Sequence, residues 1–312
     1  MQYDYESLAV LAAVVREGSF DTAAKALSVT QSAVSQRIKS LEDKVGGLLV
    51  VRGRPCVPTK LGLQLSRHFE EISLLQFELS QQIGHLVEGD ESGHVAIRVG
   101  VNNDSLSTWF PAALLRASKE LNVVFDIVPD DQEHTEASLV SGDVMAIITS
   151  NEKALPGCQR LSLGSMDYIA VASKGFYDGN FPDGVSLETL TGTICIAFDR
   201  KDTIQNQWMS LAFGGVAKVN CHFVPSYDGY IACCLNGAGW GLVPSFDAWQ
   251  HIESGDLVEL SPGKAVTVPL SWQSATLSSD MMRRLGAIVM EEAKKGLKVG
   301  KVTQFVEHKK YG

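Results

Sequence analysis

In the stretch Thr30-Gln31-Ser32-Ala33-Val34-Ser35-Gln36-Arg37-Ile38-Lys39, hydrogen-bonding side chains recur at spacings that a helix would gather on one side. At about 100° per residue, Ser32, Ser35, Gln36 and Lys39 fall opposite Val34, Ile38, Leu41 and Val45, with Gln31 in the first turn. Glutamine and serine can read base edges in a major groove, and a helix N-terminus directed at a phosphate adds its positive dipole end. Further on, Arg52 and Arg54 flank Gly53, an arrangement suited to a phosphate or minor-groove contact. The same pattern also describes a solvated helix that touches nothing.

A second set of candidates sits where short apolar runs end. Asn103, Asp104 and Ser105 follow residues 95–101, Asp131 follows residues 123–128, Thr149 closes residues 144–149 and Asp199 follows residues 194–198. Hydroxyls at a helix N-terminus suit a ligand carboxylate, whereas clustered aspartates suit a cationic group. Together they point to an amino acid with a basic side chain. Ordinary helix capping is the alternative at each position.

Catalytic signatures are missing. The sequence has no Gly-x-Ser-x-Gly elbow and no Walker phosphate loop, and Gly237-x-Gly239-x-Gly241 lacks the Gly-x-Gly-x-x-Gly spacing. Asp130 and Asp131 are neighbours, which an extended segment turns to opposite sides. No enzyme activity is expected. Seven histidines without a His-x-x-x-His pair and six cysteines without Cys-x-x-Cys give no support to a metal site, and no cofactor is expected. Cys56, Cys158, Cys195, Cys221, Cys233 and Cys234 read as reduced thiols rather than a disulfide framework. Cys195, Cys233 and Cys234 lie in apolar runs and read as small buried hydrophobes, with a thiol redox sensor as the rival reading.

The elements that must position these groups follow from pattern and charge. A chain of 312 residues with 45% hydrophobic and 20% charged residues can bury a sizeable core and is long enough for two domains. Its net charge of −9 hides an asymmetry: residues 22–67 hold eight Lys and Arg against Glu42 and Asp43, a net +6, while residues 68–312 carry −12. Local positive charge is what a phosphate-facing surface needs, because neutralising phosphates releases condensed counterions. No apolar run approaches the roughly 18 residues of a membrane span, and the acidic opening Met1–Glu6 is no export signal, so a cytoplasmic protein is expected.

Leu8, Leu11, Ala12 and Val15 form one helical stripe that Gly18 ends; Phe20, Ala23, Ala24 and Leu27 form a second after Ser19. Thr30 is placed to cap a third, so two helices joined by a tight turn make a helix-turn-helix. Leu48-Leu49-Val50-Val51 with the following Arg52-Gly53-Arg54-Pro55 reads as a β-ribbon with a basic tip, a wing. From Thr59 a helix is predicted to about residue 87. Along it Leu65, Ile72, Leu79 and Leu86 recur every seven residues, widened by Leu61, Phe69, Leu75 and Ile83. Such a strip pairs with another copy or packs against the chain's own second domain. After a polar hinge at residues 88–93, apolar runs at 95–101, 123–128, 144–149, 168–172, 194–198, 221–224 and 241–243 alternate with helical patterns at 108–119, 135–141, 204–211 and 227–236. This alternation predicts a parallel sheet flanked by helices.

The run Phe20-Asp21-Thr22-Ala23-Ala24-Lys25-Ala26-Leu27-Ser28-Val29-Thr30-Gln31-Ser32-Ala33-Val34-Ser35-Gln36-Arg37-Ile38-Lys39-Ser40-Leu41-Glu42 resembles the helix-turn-helix of LysR-type transcriptional regulators, and Val51-Arg52 with Pro58-Thr59-Lys60-Leu61-Gly62 resembles their wing and linker start. In that family the positions matching Gln31, Ser32, Ser35 and Gln36 face bases or phosphates, and an arginine often stands where Gln36 does. Val101-Asn102-Asn103-Asp104-Ser105-Leu106-Ser107-Thr108-Trp109, Ala197-Phe198-Asp199 and Met281-Met282-Arg283 are similar to the subgroup controlling arginine and lysine export, once described as chromosome initiation inhibitors.

The resemblance implies a mixed fold: an all-α winged helix-turn-helix domain over residues 1–58, a linker and dimerisation helix over 59–88, and an α/β effector domain over 93–300. That last domain would resemble periplasmic binding proteins, with one lobe of about 93–164 and 268–300 and another of 165–267. The implied partners are double-stranded promoter DNA, a small-molecule effector, RNA polymerase, and further copies of the chain as a homodimer or dimer of dimers; no membrane is implied. The effector that the resemblance implies is lysine or arginine, with another amino acid or small organic acid as the alternative.

Overall fold

A computed structural model describes residues 4–84, 95–129, 132–275 and 279–297. The chain opens with helix α1 (Tyr5–Glu17), capped by the Asp4 carboxylate, which accepts from the Glu6 and Ser7 amides at 3.2 Å each. Gly18, at φ 61°, turns the backbone out of the helix, a left-handed conformation that glycine adopts without steric cost. Ser19 caps α2 (Phe20–Ala26), and the Thr30 hydroxyl accepts from the Ala33 amide at 3.2 Å to start α3 (Gln31–Val45). Strands β1 (Val50–Val51) and β2 (Val57–Pro58) pair antiparallel, with Val50 opposite Pro58. The long helix α4 (Lys60–Gly84) then begins. Leu8, Leu11, Val14, Phe20, Val34, Ile38, Leu41, Leu49 and Leu65 form one buried cluster that joins all four helices to the ribbon.

Thr59 locks the ribbon to α4. Its hydroxyl donates to the Leu48 carbonyl at 2.8 Å and accepts from the Gly62 amide at 3.1 Å. A Cβ on Gly62 would run into the Leu49 carbonyl oxygen, so only glycine lets the helix approach the ribbon backbone this closely.

The stripe on α4 divides between two jobs. Leu65 is buried in the N-terminal cluster, and Leu74, which the heptad reading leaves out, is buried in the core of the C-terminal part. Leu75 and Leu79 stay about half exposed, at 48% and 52%. Leu86 lies outside the described residues. Glu78 also reaches across: its carboxylate accepts from the Ser279 hydroxyl and, at 2.8 Å, from the Met281 amide.

On the same helix, burial pushes the Glu70 carboxyl up to about 7, with Asp143 and Asp126 adding to the rise while Arg98 and Arg16 oppose it. A carboxyl raised in the folded state holds a proton that the unfolded chain has already lost, between the ordinary 4.5 and about 7. Its contribution to stability therefore falls as pH rises through that window. The melting midpoint is expected to drop between about pH 4.5 and about pH 7, and Glu70→Gln to flatten the drop. An identical pH profile for the variant, measured by thermal denaturation, would contradict this assignment.

The C-terminal part begins with β3 (Val95–Val101), α5 (Asn103–Ser107), α6 (Phe110–Leu121), β4 (Val123–Pro129), α7 (Gln132–Ser141) and β5 (Ala146–Thr149). β3 lies between β4 and β5, parallel to both. Next come β6 (Cys158–Ser173), α8 (Lys174–Asn180), α9 (Leu187–Thr191), β7 (Ile194–Ala197), α10 (Ile204–Phe213), β8 (Asn220–Phe223), α11 (Tyr227–Leu235), β9 (Gly241–Pro244), α12 (Ser245–Glu253), β10 (Leu257–Glu259), β11 (Ala265–Ala275) and α13 (Asp280–Gly296). β7 and β8 are parallel, and Trp240 beside β9 exchanges backbone hydrogen bonds with Ile194 and Ile196 at 3.1 and 2.7 Å.

The sheet is not the parallel one predicted. β11 runs antiparallel to both β5 and β6, and β6 is antiparallel to β9 and β10. The two long strands β6 and β11 pass from the β3–β5 group to the β9–β10 group, so each belongs to both halves of a two-lobed, mixed sheet. Only residues 168–172 of β6 carry an obvious apolar signal. Its first half is polar and only partly buried, and β11 contains Pro269 next to a register shift at Leu270/Ser271, which hides it from pattern reading.

The expectation of reduced thiols throughout is also corrected. Cys195 on β7 and Cys221 on β8 occupy directly paired positions, with Cα atoms 4.7 Å apart, and are joined as a disulfide. Parallel pairing brings together two residues that no local spacing relates. Cys56, Cys158, Cys233 and Cys234 are free.

Candidate nucleic-acid interface and effector cleft

On α3, Val34, Ile38 and Leu41 are at most 2% exposed. Gln31, Ser32, Gln36 and Lys39 are exposed, and Ser35 is half-buried at the edge of the same face. Thr30 is exposed too, but its hydroxyl is engaged as the cap. The wing is held against this helix by Glu42, whose carboxylate accepts from the Leu49 and Val50 amides at 2.8 and 3.4 Å. Reading Glu42 as a surface charge misses that role, since the partner amides come from the ribbon. Arg52 lies with its guanidinium 5.0 Å from the centroid of the Phe20 ring, a cation–π contact that gives the wing tip a fixed direction. Arg54 is exposed beside it, and Arg37 pairs with Glu6 at 3.1 Å on the surface. α3 and the wing thus turn polar and cationic side chains outward over an apolar layer, with Leu48, Val51 and Val57 of the wing exposed among them.

In the C-terminal part the register Gly100↔Ile147 sets the end of β5, with Thr149, beside the start of α5. Asp104 on α5 is half-buried and its carboxylate accepts from the Tyr168 hydroxyl of β6. Burial raises the Asp104 carboxyl above the usual carboxylate range, and the charge of Asp202 raises it further against the opposing Tyr168 hydrogen bond. Burial and the neighbouring Asp104 likewise raise the Tyr168 phenol. Tyr227, at the start of α11, also feels Asp104 and donates to Asp247 at 2.8 Å. Asp104, Tyr168, Asp202 and Tyr227 thus form one interacting acidic group where the two lobes meet.

The other candidates occupy different settings. The Asp199 carboxylate is exposed and accepts from the Lys201 and Asp202 amides at 2.7 and 2.9 Å, shaping the loop after β7. Three residues on, Asp202 is fixed by the Phe198 and Ile204 amides at 3.0 and 3.1 Å and by the Gln205 amide nitrogen at 2.9 Å. Ser105 is fully buried, its hydroxyl accepting from Trp109 Nε1 at 3.1 Å. Thr149 donates to Glu136 at 3.1 Å, and Asn151 donates to the other oxygen of that carboxylate at 3.2 Å. Asn103 is half-buried next to Asn102, whose side-chain oxygen is buried with no hydrogen-bond partner. Asp131 lies outside the described residues.

Sequence reasoning missed Tyr168, Asp202 and Tyr227. Tyr168 is one aromatic residue in an apolar run, and only the pairing of β6 with its neighbours aims it at α5. Among the described residues no group of three or more His, Cys, Asp or Glu could hold a metal ion, and no helix is long and apolar enough to cross a membrane.

Comparison with known proteins agrees with this geometry. The family of bacterial regulatory helix-turn-helix proteins of the lysR family matches residues 5–63, and the LysR substrate binding domain matches residues 90–294. The chain is 36% identical over 295 residues to the HTH-type transcriptional regulator ArgP of Pseudomonas aeruginosa, covering 95% of this chain and 97% of that one. It is 37% identical over 285 residues to LysG of Mycobacterium tuberculosis, covering 91% of each. Among solved structures, ArgP from Mycobacterium tuberculosis matches with a TM-score of 0.78 at 36% identity, covering 96% of this chain and 100% of that one. Full-length LysG from Corynebacterium glutamicum with the effector Arg bound matches with a TM-score of 0.69 at 30% identity, over 95% and 100% of the two chains. An N-terminal helix-turn-helix with its polar face outward, joined by a long helix to a two-lobed sheet domain, and two family matches that together span most of the chain, place this protein in the LysR family of DNA-binding transcriptional regulators.

Proposed function

We propose that this regulator senses a basic amino acid, arginine or lysine, in the cleft between its two lobes. The observation that carries this reading is the Asp104 carboxylate, half-buried against Tyr168 and raised by burial and by Asp202. A guanidinium or ammonium group entering there would relieve both effects, because an opposite charge within a few ångströms favours the ionised carboxylate. Asn103 and Thr149 at the strand ends, together with the loop shaped by Asp199, supply the polar frame for the ligand's backbone groups; Ser105, buried and held by Trp109, backs that frame, and Asp131 belongs to the same reading. The relative whose structure holds the effector Arg supports the same class of ligand. Calorimetry against the twenty amino acids tests it: heat is expected from arginine or lysine. Silence from both, with heat from an aromatic or an organic acid, removes the assignment and leaves the DNA reading untouched.

On the DNA side, Thr30, Gln31, Ser32, Ser35, Gln36 and Lys39 would enter a major groove while Arg52 and Arg54 hold the phosphate backbone. Gln36→Ala is expected to cost about 1–3 kcal/mol on the specific promoter with little change on random DNA. Arg52→Ala should instead weaken both and reduce the slope of affinity against salt by about one. Equal losses on both DNAs for Gln36→Ala, in gel-shift titrations, would undo the division.

The exposed Leu75 and Leu79 on α4 support pairing with a second copy, giving a homodimer or dimer of dimers that presents two recognition helices to two half-sites. The division into residues 1–58, 59–88 and 93–300, with lobes of about 93–164 with 268–300 and 165–267, belongs to this reading. So do RNA polymerase as a partner and a cytoplasmic location. The coupling between sites then needs the effector to favour one arrangement of the subunits, typically by about 1–3 kcal/mol.

A further inference from the structure

We propose that Cys195 and Cys221 are a reversible redox site, closed by small-molecule disulfides and opened by dithiols, whose closed form braces the β7–β8 edge of the second lobe. The proposal is independent of the effector assignment. Its basis is placement. The two cysteines are direct partners in the parallel register Cys195↔Cys221, with Cα atoms 4.7 Å apart, inside the range a disulfide spans without backbone movement.

Access is asymmetric. Cys195 has no exposed surface, whereas Cys221 is half-buried and lines a cavity of about 440 Å³ that opens to solvent. Lys218 and Arg200 line the same cavity, and the Arg200 guanidinium stands 4.8 Å from the Phe223 ring centroid. The carboxylates in that wall, Asp199 and Asp202, are already turned onto backbone amides of their own loop. Cations beside a thiol favour its thiolate, the attacking form. The cavity leaves room for the mixed-disulfide intermediate on Cys221.

The exchange balances in two steps. The Cys221 thiolate attacks one sulfur of glutathione disulfide, breaking its S–S bond and expelling one glutathione thiolate. The Cys195 thiol then attacks the Cys221 sulfur and expels the second glutathione, which takes the Cys195 proton as it leaves. Two electrons pass from the cysteine pair to the glutathione disulfide, which leaves as two thiols. Two of the free cysteines are poor competitors: burial pushes the Cys234 thiol up to about 12 and raises that of Cys158.

The test uses the full chain, treated either with dithiothreitol or with glutathione disulfide, then denatured and alkylated. Six labels are expected on the reduced chain and four on the oxidised one, with a peptide linking Cys195 to Cys221 found by mass spectrometry. Dithiothreitol should restore all six. The oxidised chain should melt at a higher temperature than the reduced one, and Cys221→Ser should melt alike under both treatments. Six labels after oxidation, a link between other cysteines, glutathione left as a stable adduct on Cys221, or a lower melting temperature for the linked form would each overturn the proposal. Cys195→Ser supplies the control if Cys221→Ser fails to fold: it should keep a glutathione adduct at Cys221, and absence of that adduct would exclude Cys221 as the entry point.

Discussion

Asp104→Asn is expected to leave the fold intact and to weaken arginine binding by a factor of about 30 or more. The asparagine oxygen can still accept from the Tyr168 hydroxyl, so the local hydrogen bond survives while the charge is lost. Removing one member of a buried, hydrogen-bonded charge pair costs about 2–5 kcal/mol, and 2 kcal/mol alone is about a 30-fold change in affinity. The wild-type protein should show a matching pH dependence. Because the free Asp104 carboxyl is raised, a proton competes with the cationic ligand, so affinity should fall as pH drops through that raised value and a proton should be released on binding. The variant should lack both effects. Calorimetry in buffers of different ionisation enthalpy measures them together, and an Asp104→Asn protein that binds arginine as tightly as wild type would remove Asp104 from the site.

Ile38→Ala is expected to cost about 2–5 kcal/mol of stability in the N-terminal domain, the range for truncating a buried aliphatic residue whose neighbours relax only in part. Ile38 is 1% exposed and lies in the cluster of Leu8, Leu11, Val34, Leu41 and Leu49. A small domain has little stability to spare, so this loss should appear as an early transition in chemical denaturation and as weak binding to every DNA. Arginine binding should persist, since the cleft rests on a separate core cluster. On the other face of α3, Ser32→Ala should change stability by less than about 0.5 kcal/mol, because surface positions carry little packing. Comparable destabilisation by both substitutions would mean that the two faces are not divided as the burial shows.

The two halves of the molecule were legible to different degrees. The recognition helix, its Thr30 cap, the Gly18 stop and the start of the linker helix could be read in advance because each depends on residues within a turn or two of one another. Burial of Val34, Ile38 and Leu41 opposite Gln31, Ser32, Gln36 and Lys39 follows from a 3.6-residue period and needs no knowledge of distant contacts. In the linker helix the seven-residue repeat was visible, but Leu74 was not. What faces Leu74 is the effector domain, and the helix carries no mark of where that domain sits.

The acidic group around Asp104 was only half readable. Asp104 stands out at the end of β3, yet its partner Tyr168 is 64 residues away and Asp202 comes from the loop after β7. A period-two pattern tells which side of a strand is buried, and it is silent on which strand lies alongside and in which direction. The order of strands, the antiparallel course of β6 and β11 through both lobes, and the contact of Cys195 with Cys221 across 26 residues all depend on that missing information. From its residues alone, this chain determined a two-faced third helix on a basic N-terminal unit and an acidic α/β unit after it. Tertiary structure decided which carboxylates meet and which thiols pair, because those encounters depend on strand register and on the order in which distant segments are brought side by side.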